Sequence, residues 1–190
     1  MDSDDKDQKS DGRLNNLVAV TVVVLTVFLA ISKVKDDNIV QAMAKAQATA
    51  VDAWNEYQAS RIKLHVDENA LATLRLLETG GGIDKELAAK QAAAYEADIK
   101  KYEQRSKETM TKAKAQDAEY NRLNAYDDQF DISEAFISIA IAVAAIAALV
   151  QSYLLLYFAW TSGGTGIVFG IAGFLGWSLR PEFLVQLIGT

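Results

Sequence analysis

The sequence predicts an all-α protein: three transmembrane helices plus a long antiparallel helical hairpin, coiled-coil-like, that extends out of the membrane. Three observations predict it. Apolar residues crowd into residues 17–31 and from Phe136 onward, while charge fills the middle. The middle, between Asp36 and Asp131, has no proline and is rich in Ala, Glu, Lys and Gln, which are strong helix formers. One block of three glycines, Gly80, Gly81 and Gly82, interrupts that middle, and the next glycine is Gly163.

Residues 1–13 read as a polar, acidic tail. Residues 14–34, LNNLVAVTVVVLTVFLAISKV, form the first expected membrane helix. Their charge-free run is about 19 residues, close to the ~20 that cross a hydrocarbon core as a helix. Lys6, Lys9 and Arg13 before it also suit a signal peptide. The tail is acidic, however, and AISKVKDD is a poor small-residue cleavage site, so an uncleaved anchor is expected.

Residues 36–131 are expected to form the hairpin, with its turn at 80–82. Ile39, Met43, Ala46, Ala50, Tyr57, Leu64, Leu71 and Leu74 precede the glycines at helical spacing. Tyr95, Ile99, Tyr102, Ala113, Tyr120, Leu123 and Phe130 follow them. This thin, alanine-rich stripe suits a coiled-coil seam better than a globular core. The pairs Glu86–Lys90, Glu96–Lys100, Glu103–Lys107 and Glu108–Lys112 support an exposed helix. Glycine supplies the left-handed backbone that ends one helix, and Asp84 can cap the next. The block divides the segment into nearly equal arms of ~60–65 Å each.

Residues 135–160 and 164–180 are the second and third expected membrane helices, and 181–190 a C-terminal tail. Tyr153, Tyr157 and Trp160 would lie at one interface, Trp177 and Arg180 at another. Ala140, Ala144 and Ala148 give the second helix a smooth stripe. Gly166, Gly170, Gly173 and Gly176 do the same for the third. Small residues so spaced let helices approach closely in lipid, either within the chain or between copies.

The chain has 190 residues, net charge −6 and no cysteine. No long basic stripe suggests nucleic acid, and no disulfide or thiolate metal site can form. A single histidine cannot build a histidine cage, and no cofactor motif is present. The stretch TGGGID lacks the Gly-Lys-Ser/Thr ending and the preceding strand of a phosphate loop. No catalytic, cofactor or metal residues are therefore expected.

Trp54, Gln58, Arg61 and His65 share one face of the first arm with Tyr57 beside them, an interaction patch for a ligand or partner. The plainer reading is packing across the hairpin. Folding about Gly81 pairs Arg61 with Glu103 and sets Trp54 on Met110. Asp127, Asp128, Asp131 and Glu134 read first as caps and solvated turns, with Asp131 and Glu134 at capping-box spacing. Attraction of cations at a membrane surface is the alternative.

The apolar segment, then the Asn38-Ile-Val-Gln-Ala-Met43 stretch, then Asp52, Trp54, Tyr57, Gln58, Ala59, Ile62 and Lys63 resemble the bacterial family called domain of unknown function 4337. The resemblance covers most of the chain and implies a multi-pass protein of a bacterial inner membrane, without a reaction or substrate. Family members usually carry a basic turn between the last two helices, where this chain has TSGGTG at 161–166. Lys33, Lys35, Arg122 and Arg180 slightly outnumber Lys6, Lys9 and Arg13 near the membrane, which favours a cytoplasmic hairpin. The family's basic turn argues the reverse, so both orientations stand.

The expected function is a non-enzymatic, self-associating scaffold in a lipid bilayer. An auxiliary subunit docked on a membrane-protein partner through its glycine and alanine faces is the alternative. A small pore is less favoured, because the three spans carry no charge along an ion path.

Overall fold

The computed structural model describes residues 2–81, 84–177 and 179, with side chains from Gly12 onward. Gly82, Arg180 and the 181–190 tail lie outside the described residues, as do the side chains of Lys6 and Lys9. The described residues form three α-helices and no strand: α1 (Asp2–Gly80), α2 (Lys85–Leu149) and α3 (Tyr153–Phe174). Each contains a stretch long and apolar enough to cross a membrane. The chain divides into two compact units, Met1–Met43 with Asn121–Thr190, and Ala44–Tyr120.

In the first unit, the three helices pack on small residues. Leu14 and Val18 of α1 meet Ala144 and Ala147 of α2 and Leu156 and Ala159 of α3. Farther along, Leu25 packs with Ile137 and Ala140. Phe174 closes one end, edge-on to both Phe28 and Phe130. Burying methyls and rings gives non-directional adhesion. The small residues let the backbones come close enough for it.

The break between the last two helices corrects the sequence expectation. The sequence predicts helices over 135–160 and 164–180, with TSGGTG at 161–166 where they join. Instead α2 ends at Leu149, and residues 161–166 lie inside α3. Gln151 takes a left-handed φ of 49°, and Ser152 donates its backbone N–H to the Ala147 carbonyl at 3.0 Å. That is the Schellman pattern, which ends a helix by satisfying its last carbonyls. Gln151 holds the turn through its amide, which donates to Ala148 O (2.9 Å) and to Asn15 Oδ1 (3.3 Å). Gly176, expected on the packing face, belongs to a second such ending. It has φ 73°, and Trp177 N donates to Ala172 O at 2.8 Å.

In the second unit, the expected apolar positions face inward. Ala46, Ala50, Leu64, Leu71 and Ala113 are buried, and Tyr57, Leu74, Tyr95, Ile99 and Tyr102 are half-buried. Ser60, Ser106 and Thr109 join the buried set although they are polar. Ser106 donates to Glu103 O (2.9 Å) and Thr109 to Arg105 O (2.8 Å), so small hydroxyls satisfy themselves on their own helix. Gly80 is the last residue of α1 and Gly81 has φ 67°. Asp84 accepts from the backbone N–H of Glu86 (2.9 Å) and Leu87 (3.3 Å), which caps α2.

Candidate functional site

The contact between α2 and α3 carries a row of buried polar bonds. Gln129 donates to Phe169 O (3.0 Å), Ser133 to Gly166 O (2.7 Å), and Ser162 to Phe136 O (2.8 Å). The partners on α3 run backwards as those on α2 run forwards. Each bond ties a buried side chain to a main-chain carbonyl, the kind of contact that holds helices together in an apolar medium. The expected small residues line the same face. Ala140 and Ala144 are fully buried, Ala148 is half-buried, and Gly166, Gly170 and Gly173 are buried. A methyl at Gly170 would stand 2.7 Å from the Phe28 ring, and one at Gly173 2.9 Å from the Phe130 ring. The glycine stripe is therefore covered by the chain's own residues.

A group of carboxylates gathers at the end of this unit where Asp36 faces α2. One carboxylate oxygen each from Asp36, Asp131 and Glu134 lies within 4.8 Å of the others. Lys33 Nζ stands 3.4 Å from both Asp36 Oδ2 and Glu134 Oε2. Asp36 is only 5% exposed, and its Oδ1 has no hydrogen-bond partner among the described residues. Ser32 Oγ, one turn earlier on α1, is likewise buried and unpartnered. Leaving such a group unsatisfied costs about 1–3 kcal/mol. The capping role expected of Asp131 and Glu134 is corrected here: α2 passes through both without a break, so no helix starts there.

Burial pushes the Asp127 carboxyl up to about 6, repulsion from Asp131 and Asp36 adds to it, and a side-chain hydrogen bond to Asp36 holds the protonated form. Burial likewise raises Asp131, with Asp36 and Glu134 adding and Lys33 opposing. The folded chain thus keeps a proton on Asp127 that the unfolded chain releases near pH 4. Between about pH 4 and about 6 the folded state binds more protons, so this contribution to stability falls as pH rises through that window. Solvent screening of a partly exposed group keeps it on the order of 1 kcal/mol. Melting curves in EDTA across this range should show the loss, and Asp127→Asn should flatten it. An unchanged slope in Asp127→Asn would assign the effect elsewhere. The charged groups acting on Asp127 are Asp36, Asp128 and Asp131.

The aromatic patch lies in the second unit and is partnered mainly within itself. Trp54 meets Tyr57 edge-on at 5.7 Å and donates from Nε1 to Asp117 Oδ2 at 3.0 Å. Arg61 bonds His65 (3.2 Å), and His65 bonds Glu68 (2.8 Å). Gln58 is exposed. The expected Arg61–Glu103 pair is corrected: Arg61 turns along its own helix to His65, and Trp54 reaches Asp117. Arg105 pairs with Glu56, and Arg75 with Glu96 at 2.9 Å. Long side chains reach a turn or more along the partner helix, which simple folding about Gly81 does not capture.

Sequence reasoning missed Asp36, Ser32 and Lys33 as members of one polar group with Asp131 and Glu134. The available signal was weak. Ser32 and Asp36 stand four apart where the first apolar run ends, and therefore share a helix face.

A family with the description "Domain of unknown function (DUF4337)" matches residues 14–176. No curated protein and no solved structure matches the chain.

Proposed function

The chain belongs to the DUF4337 family, and on that premise we propose that it is a non-enzymatic integral membrane protein, a self-associating scaffold carrying a helical hairpin. Its place in this reading is a bacterial inner membrane. Val20, Val23, Val27, Ile31 and Val34 support the membrane part. They recur at three- and four-residue steps on α1 and are all exposed, an apolar face suited to lipid. The hairpin reading is supported by contact order in the second unit. Residues 54, 56, 63 and 75 of α1 meet 117, 105, 102 and 96 of α2, in falling sequence.

The observation that carries self-association is a second exposed stripe. Val51, Ile62, Val66 and Leu77 of α1 are each more than half exposed. At 100° per residue they fall within about 80° of one another. An otherwise charged helix gains nothing from aliphatic groups in water, whereas a neighbouring copy laid along them would bury them. The test is the native mass of the full chain in a mild detergent. The wild type should run as a symmetric multiple of 20.7 kDa. Ile62→Glu with Val66→Glu should reduce it to the single chain. A monomeric wild type, or an assembly indifferent to both glutamates, rejects the reading. A mass containing a second polypeptide would point instead to an accessory subunit.

A further inference from the structure

We propose that Asp36, Asp131 and Glu134 form a binding site for a hard divalent cation of the calcium type, with Ser32 as an additional oxygen donor. The site lies within one chain and one unit, so it stands or falls independently of self-association.

Geometry comes first. Three carboxylate oxygens within 4.8 Å of one another match the span of a calcium coordination sphere, whose ligands sit at about 2.3–2.6 Å from the ion. All the donors are oxygens, which suits calcium or magnesium rather than zinc or copper. Magnesium requires a tighter trio, since its ligands sit at about 2.0–2.1 Å.

The second observation is independent of the clustering. Asp36 is 5% exposed and Ser32 4% exposed, yet Asp36 Oδ1 and Ser32 Oγ have no hydrogen-bond partner among the described residues. They lie one turn apart on the same face of α1. Buried oxygens without a donor are uncommon in folded proteins and call for a proton or a cation. Ionised carboxylates cannot donate to each other. Asp127 is hydrogen-bonded to Asp36 while protonated, so a bound cation would compete with that proton as well as with Lys33.

Lys33 is the competing occupant. Its ammonium reaches two of the three carboxylates, at 3.4 Å each, which is long for a charge-assisted bond. Its side chain is half exposed and has room to swing away. A bound ion would take its place.

The experiment uses the full chain in mild detergent, stripped with EDTA, desalted, and titrated with calcium chloride or magnesium chloride by calorimetry. One saturable site per chain is expected, tighter for calcium, with a raised melting temperature. Asp36→Asn and Glu134→Gln should each weaken it at least about tenfold, as loss of even an outer partner costs about 10–100-fold at metal sites. Lys33→Met should tighten it, because the internal competitor is gone. A simple lysine salt bridge predicts no such gain. Asp52→Asn, exposed on α1 in the other unit, should change nothing. If Asp36→Asn does not fold, Glu134→Gln on the half-exposed side carries the test alone. Absence of saturable binding for both cations, or affinity unmoved by Glu134→Gln, overturns the site and leaves the group to protons and Lys33.

Discussion

Replacing Gly166 with leucine should abolish the docking of α3 on α2, the largest single-residue effect expected in the first unit. Even a methyl there would stand 2.6 Å from Ile137 Cγ1, 2.9 Å from the Ser133 carbonyl oxygen and 3.1 Å from the Ile137 nitrogen. Two of those three atoms are backbone and cannot rotate away. The helices would have to separate, and the Ser133–Gly166 bond of 2.7 Å would be lost with the Gln129 and Ser162 bonds beside it. Overpacking costs about 1–3 kcal/mol and sometimes more. Gly166→Ala should therefore lower the unfolding midpoint in an SDS titration, and Gly166→Leu should remove the cooperative transition. Gly164 supplies the control. Nothing lies within 4 Å of a methyl at that position, so alanine should raise the midpoint through its better helix propensity, by up to ~1 kcal/mol. Opposite signs two residues apart would be hard to obtain from anything but close helix contact. Equal effects at the two positions would refute the packing.

The positions where sequence reasoning failed share a cause. Glycine and the small hydroxyls carry two meanings, and a single chain does not say which applies. TSGGTG looks like a turn because those residues favour turns in water. In α3 the same residues are helical. Thr161 and Thr165 bond back to Phe158 and Thr161 carbonyls at 2.8 and 2.9 Å, Ser162 bonds across to α2, and a methyl at Gly163 would stand only 3.0 Å from the Leu25 side chain. The real turn hid at Gln151 and Ser152, two polar residues inside an apolar run, where glutamine in a left-handed conformation is not anticipated by propensity. At Gly81 the two meanings coincide. The flanking sequence is charged and strongly helical, so a glycine block there can only interrupt it, and Asp84 follows at capping distance. The carboxylate group was half visible. Asp127, Asp131 and Glu134 are neighbours in sequence, whereas Asp36 joins them only through the packing of α1 on α2.

The second unit should fail at Ala113. This alanine is fully buried, one turn before Asp117, whose carboxylate accepts from Trp54 across the two helices. Much of the buried set of this unit is small as well: Ala46, Ala50, Ala53, Ser60, Ser106 and Thr109. Two helices joined by residues of that size have close-set backbones, which leave little room for a larger side chain. Ala113→Leu adds three carbons to this seam and should destabilise the unit by about 1–3 kcal/mol, since its solvent-facing partners offer little to hold the helices together once they part. Hydrogen exchange of backbone amides in residues 44–120 should then speed up about tenfold or more, while amides of the first unit keep their protection. Ala115→Leu, on the exposed face two residues away, should leave exchange nearly unchanged, because leucine is almost as good a helix former as alanine. If both leucines were tolerated alike, the seam would not be close-packed. The long charged arms would then owe their stability to helix propensity and to neighbouring chains, not to each other.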